Sequence, residues 1–198
     1  MQSTKPTPNQ ARTDRTRSAL KAAMRAIALE QGYANAGTPQ IVALAGVTRG
    51  ALYHHYADKR ELFRAVIEDE CAAVAHEIER QSRMASDPLA ALRQGADAYI
   101  DAMAQATRTQ LILVEAPAVL GRDGLQQIEG RYAQASLRDG LQAAMRARAI
   151  KTLPLVPLQA LLNAMFDAAA LCIQGGVDTS ETRRVIHALL QGLALRKP

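Results

Sequence analysis

Residues 38–56 read Thr38-Pro39-Gln40-Ile41-Val42-Ala43-Leu44-Ala45-Gly46-Val47-Thr48-Arg49-Gly50-Ala51-Leu52-Tyr53-His54-His55-Tyr56. Two short helical runs meet at Gly46-Val47. Thr38 is placed to cap the first, with Pro39 at its opening position, and Ile41, Leu44 and Ala45 form its apolar face. Gly46 ends that run after about two turns. The second run, to Tyr56, turns Val47 and Leu52 inward and leaves Arg49, Tyr53 and His54 outward. This is a helix-turn-helix by length, break and apolar placement. Its second helix is slim enough to enter a DNA major groove about 12 Å wide. The same geometry also fits an ordinary helical hairpin.

The rest of the chain favours helices throughout. Alanine, leucine, arginine and glutamine dominate, with no Trp and only two Phe among 198 residues, so an all-α fold is expected. The net charge of +5 is unevenly spread. Residues 1–66 hold ten Lys/Arg against four Asp/Glu, whereas the remainder holds fourteen against fifteen. A basic first third suits a polyanionic partner.

Upstream, Leu20, Ala23, Met24 and Ile27 set a helix over 13–31, preceded by residues 1–12 as a disordered basic lead-in. Downstream, Asp58 can cap a long helix with Leu62, Val66, Cys71, Val74 and Ile78 on its core side. Asp87-Pro88 opens another, Gly121 to Gly124 breaks the chain, and a helix over 125–145 follows. Leu158 to Ile173 forms the next helix. Asp178, with Glu181 three residues on, caps the last. This divides the chain into the lead-in 1–12, a helix-turn-helix head 13–60 and a helical body 61–198.

With Asp58-Lys59 and Leu62-Phe63 added, the run from Ile41 to Tyr56 closely resembles the signature of the TetR family of repressors. The resemblance covers about residues 13–66. Val42 stands where Ala is frequent, Tyr56 where Phe is usual and Gly37 where Ser or Thr often caps. The resemblance implies a three-helix DNA-binding head on a ligand-sensing, dimerising body. It places Thr48, Arg49, Ala51, Tyr53 and His54 at the groove, with Thr38, His55 and Lys59 as phosphate or positioning contacts. Arg49 can fork onto guanine, Ala51 can meet a thymine methyl, and Lys59 at a helix start suits phosphate.

Other function classes find only fragments. Ser18 to Lys21 has the S-x-x-K spacing without its companion motifs. His54-His55 are neighbours rather than i, i+4 ligands, and there is no Gly-rich phosphate loop, so neither metal nor cofactor is expected. Cys71 and Cys172 read as small core residues in a reducing, cytoplasmic setting. No apolar run is expected to reach the about 18 residues of a membrane span. The readings that remain are a ligand-gated repressor, a DNA-binding architectural protein without a ligand and, least supported, a helical enzyme. A body pocket would draw on Tyr99, Met103, Leu111, Glu115, Met145 and Phe166, with Asp167 and Gln174 as further polar groups. Tyr99, Tyr132 and Phe166 are too few aromatics for a stacked cage around a flat cationic drug, so an aliphatic or small polar effector is expected. A homodimer would pair Leu161, Leu162 and Phe166 of one helix with Val185, Leu189 and Leu193 of the next.

Overall fold

The computed structural model describes residues 7–195, and every named element among them is helical. The head comprises α1 (Pro8–Gln31), a 3-10 turn (Tyr33–Asn35), α2 (Thr38–Ala45) and α3 (Arg49–His55). A 24-residue helix, α4 (Lys59–Ser82), carries the chain into the body. There follow α5 (Pro88–Met103), α6 (Ala106–Thr109), a π-helical turn (Gln110–Glu115), α7 (Ala116–Glu129), α8 (Ala133–Arg146), α9 (Leu155–Gln174) and α10 (Thr179–Gly192).

Local chemistry accounts for most boundaries. Asp58, Asp87 and Asp178 each accept a hydrogen bond from the backbone N–H three residues on, at 2.7, 2.8 and 2.8 Å. Gly46 closes α2 in the left-handed conformation (φ 64°, ψ 33°), which an L side chain rarely adopts. Gly121, at φ 74°, kinks α7 where a break was expected. Three boundaries differ from the sequence reading. Thr7 caps α1 and Pro8 begins it, so residues 8–12 are helix rather than lead-in, and residues 1–6 lie outside the described part. Gly37, not Thr38, is the N-cap of α2, and Thr38 is its first helical residue. The helix expected over 125–145 is two helices, parted at Gly130–Tyr132.

Two apolar cores hold the molecule. The first runs from the head into the body, packing Leu20, Ile27, Leu52 and Phe63 with Leu111, Leu120 and Ile128. The second joins α5 to α8, α9 and α10 through Ile100, Leu141, Leu162, Phe166 and Leu190. The packing of the first core is therefore continuous across position 60/61. A buried carboxylate reinforces it: Glu70 accepts from Arg25 of α1 at 2.5 Å and from Arg108 of α6 at 2.9 Å. Burial pushes the Glu70 carboxyl up, but the two guanidiniums outweigh that and hold it below its ordinary value.

The expectation that no run reaches membrane length does not hold. Helix α9 is 20 residues long with a mean hydropathy of 1.6, enough by length and composition to cross a bilayer. Its apolar surplus lies on the outside of this chain, where Leu161 is 71% exposed and Leu171 is also exposed. On α10, Val185 and Leu189 are exposed as well.

Candidate nucleic-acid interface and ligand cavity

The outward face of α3 gathers the side chains read from the sequence. Thr48 caps the helix, its Oγ1 accepting from the Ala51 N–H at 3.1 Å, which leaves its hydroxyl proton to donate elsewhere. Arg49, Tyr53 and His54 are exposed, and Ala51 is half-buried. The Arg49 guanidinium lies 5.6 Å from the Tyr53 ring centroid. Arg49, and then Thr38, hold the Tyr53 phenol below its ordinary pKa. Arg49 and Tyr53 thus pair on the outward face of α3, and Thr38 is half-buried at the start of α2. His55 is half-buried and its pKa is lowered, first by desolvation and then by His54 and Arg17. Tyr56 is the buried ring, with Arg17 5.5 Å from its centroid. Leu44, expected on the apolar face of α2, is exposed.

Lys59 is placed differently from the other predicted contacts. Its ammonium donates to the Tyr33 carbonyl at 3.0 Å and sits 4.1 Å from the Tyr33 ring centroid. A lysine engaged with a backbone oxygen and an aromatic face is a brace within the head. Of the two roles read for it, phosphate or positioning contact, this is the positioning one, and its ammonium keeps two further N–H donors.

In the body a cavity of about 560 Å³ lies between α4, α5, α7, α8 and α9. Of the predicted effector residues, Tyr99, Met103 and Phe166 line it, as does Asp167 but not Gln174. The other three do not. Leu111 is wholly buried in the first core. Glu115 accepts from the Tyr33 N–H at 3.1 Å, on the side of the head. Met145 packs against the second core instead. All three lie on helices that do border the cavity or abut it, but the rotation of each helix turns them elsewhere.

Among the lining residues that escaped the sequence reading are Ile112, Glu129 and Asn163. Glu129 left a signal, since it occupies the i+4 place of the stripe Leu125, Ile128, Glu129, Tyr132. A carboxylate on an apolar stripe is either paired or functional. Burial, with the charge of Asp167 adding to it, raises the Glu129 carboxyl to about 7. Asp167 is also raised by burial, although the Tyr99 hydroxyl donates to it at 2.7 Å. Cys71 lines the same cavity, and burial pushes its thiol well up, so it is an inert core cysteine.

The predicted dimer residues divide into two groups. Leu161, Val185 and Leu189 are exposed and Leu193 is half-buried, whereas Leu162 and Phe166 are buried in the chain's own second core. The last two are corrected: they are occupied within the chain and leave no surface for a partner. Small residues fill the exposed face of α9 beside Leu161, namely Ala160, Ala164 and Ala168, with Cys172 at its end.

Two family models match the chain. The family model for bacterial regulatory proteins, tetR family, matches residues 19–66, and that for the tetracyclin repressor-like C-terminal domain matches residues 89–194. The HTH-type transcriptional regulator AcrR of Shigella flexneri is 38% identical over 66 residues, 33% of this chain and 31% of that protein. The HTH-type transcriptional repressor BepR of Brucella suis is 40% identical over 52 residues, 26% of this chain and 25% of that protein. The chain thus matches only a quarter to a third of the length of these curated relatives. A TetR-family regulator structure from Pectobacterium atrosepticum aligns with TM-score 0.75 at 28% identity, covering 96% of this chain and 99% of that one. FadR from Bacillus subtilis, solved in complex with stearoyl-CoA, has the same fold at TM-score 0.73 and 15% identity, covering 87% and 96%. With one family model spanning the head and another spanning more than half of the chain, this protein belongs to the TetR family of DNA-binding transcriptional regulators.

Proposed function

We propose that this regulator is a cytoplasmic, ligand-responsive repressor that holds a palindromic operator as a homodimer and releases it when a small molecule fills the body cavity. One observation carries the reading: α4 is a single helix shared by both sites. Its first turn braces the head through Lys59 and Tyr33, and its Cys71, Val74 and Ile78 form a wall of the cavity. A dimer matches successive turns of DNA only when its two reading helices lie about 34–36 Å apart or a multiple of that. An effector wedged against the far end of α4 tilts it and changes the spacing. Ligand and DNA then favour different states, and each weakens the other by the same factor, about 5- to 150-fold for a coupling of 1–3 kcal/mol.

The exposed apolar face of α9 and α10 supports the dimer, because an isologous four-helix contact buries Leu161, Val185 and Leu189 around a two-fold axis. On DNA, Arg49 reads a base edge and Ala51 meets a thymine methyl. Tyr53 and His54 lie along the groove, and Thr38, Thr48 and His55 position the backbone. The test is a footprint on the DNA upstream of the protein's own gene, followed by operator affinity with and without candidate metabolites. Met103→Trp, which fills the cavity, is expected to abolish any metabolite effect and leave operator binding intact. Intact operator binding that no metabolite alters would favour the architectural reading instead.

A further inference from the structure

The cavity wall is mostly apolar, yet it carries four acidic side chains: Glu79 and Asp139 are exposed and paired with Arg83 and Arg138, whereas Glu129 at the end of α7 and Asp167 on α9 are largely desolvated. The only hydrogen bonds of this last pair among the described residues are uncharged. Glu129 accepts from the Gln134 amide at 3.0 Å, and Asp167 accepts from the Tyr99 hydroxyl at 2.7 Å. The wall also holds two arginines, but both are solvent-exposed and already paired. Arg83 lies 3.6 Å from Glu79, and Arg131 lies 3.1 Å from Glu68. The cavity therefore holds two desolvated carboxyl groups with no cation of its wall beside them.

Two carboxylates desolvated in one cavity without a cation are unfavourable, and both respond by holding their protons more tightly. A neutral or anionic ligand leaves that cost in place, and an anion adds repulsion to it. An organic cation removes it. We infer that the effector is an amphiphilic organic cation, its charged headgroup held by Glu129 and Asp167 and its apolar body lying along Val74, Ile78, Leu92 and Phe166. The inference rests on the reading of this cavity as the effector site. It also sets this chain apart from a regulator that takes an acyl-CoA, whose coenzyme A phosphates would be repelled by the two carboxylates.

Proton linkage gives a second signature. The groups around Glu129 are Cys71 from α4, Tyr99 from α5, Gln134 from α8 and Asp167 from α9, while Arg131, two residues on, turns to Glu68. Of these Glu129, raised to about 7, changes charge near neutrality, and Asp167 is raised in the same direction. A bound cation favours its ionised form, so binding releases protons and tightens as pH rises through 7.

The experiment uses the full-length protein without DNA and three probes with one tail: decyltrimethylammonium, decanol and decyl sulfate, each below its micelle concentration. Equilibrium dialysis is expected to rank the cation at least about tenfold tighter than the alcohol, with the sulfate weakest. Glu129→Gln and Asp167→Asn are each expected to remove most of that gap without altering decanol binding. Calorimetry of the cation in buffers of different ionisation heat reads the proton release on the unmutated protein, and so remains decisive if a variant misfolds. If alcohol and cation bind alike, or the sulfate binds best, the cationic effector is overturned while the cavity stands as a ligand site. If none of the three binds, the reading of the cavity as an effector site falls with it.

Discussion

The carboxylate of Glu115 and the backbone N–H of Tyr33 meet at 3.1 Å, although 82 residues separate them in the chain. The same tyrosine gives its carbonyl to Lys59 and packs its ring 4.9 Å from Phe63. Close by, Arg60 donates to the carbonyls of Val119 and Leu120 at 3.1 and 2.9 Å. The foot of the head is thus clasped by the π-helical turn and α7, and Ile112 of that turn lines the cavity.

Removing this clasp should weaken both stability and communication. Glu115→Ala leaves the Tyr33 N–H without its partner and is expected to cost about 1–3 kcal/mol in denaturant unfolding. It should also shrink the effect of an effector on operator affinity. Glu115→Gln keeps an acceptor and should retain most of both. An alanine variant with unchanged stability and unchanged coupling would show the contact to be incidental.

Arg49 and Lys59 should separate cleanly on DNA. Arg49→Ala is expected to cost about 1–3 kcal/mol at one base pair of each half-site and little on a sequence already altered there. Lys59→Met should instead lower the melting temperature and leave the salt dependence of binding almost unchanged, because its ammonium is committed to Tyr33. A flattening of the log–log salt slope by about 0.9 per subunit in Lys59→Met would show that it also contacts phosphate.

The exposed face of α9 and α10 predicts a dimer that a single charge breaks. Leu189→Glu and Leu161→Glu should each give monomers by light scattering and lose operator binding. Cys172, at the end of that face, reports on the same event. A thiol reagent should label it slowly in the unmutated protein and quickly in either variant, while buried Cys71 stays unreactive until unfolding. A monomeric unmutated protein at micromolar concentration would defeat this prediction.

Stability should fall as pH rises from about 5 to 8 in the protein without effector. Glu129, raised to about 7, binds its proton more tightly folded than unfolded, so its contribution is full below the unfolded value of 4.5 and is lost as pH passes the folded one. Asp167, also raised, acts in the same direction. Glu129→Gln should flatten the decline by about 1–3 kcal/mol, measured as unfolding free energy across that range. The same decline in Glu129→Gln as in the unmutated protein would show that another group is responsible.

What could be read from the sequence follows from the range of the interactions involved. Asp58, Asp87 and Asp178 cap helices through bonds to residues three places on, so their spacing alone reveals them. Leu52 and Tyr56 of the motif face inward for equally local reasons. Lys59 and Glu115 were assigned to DNA and to ligand, yet both serve Tyr33, because a turn at residues 33–35 meets residue 115 only in the folded chain. Leu162 and Phe166 share the periodicity of Leu161, and only the rotation of α9 against α5 and α8 decides which side is core. An apolar stripe looks alike whether it will face a core, a cavity or a second subunit.

The clasp at Tyr33 also sets a timetable for synthesis. The head helices emerge from the ribosome well before Glu115, Val119 and Leu120, the groups that hold their base. At about 5–20 residues per second, roughly 3–12 s pass between completion of the head at Arg60 and arrival of its last braces. Through that interval Phe63 and Leu20 lack the apolar partners from the π-helical turn and α7 that complete their core. A nascent head is consequently a half-covered hydrophobic surface, and the chain acquires a finished DNA-reading unit only once more than half of it has been made.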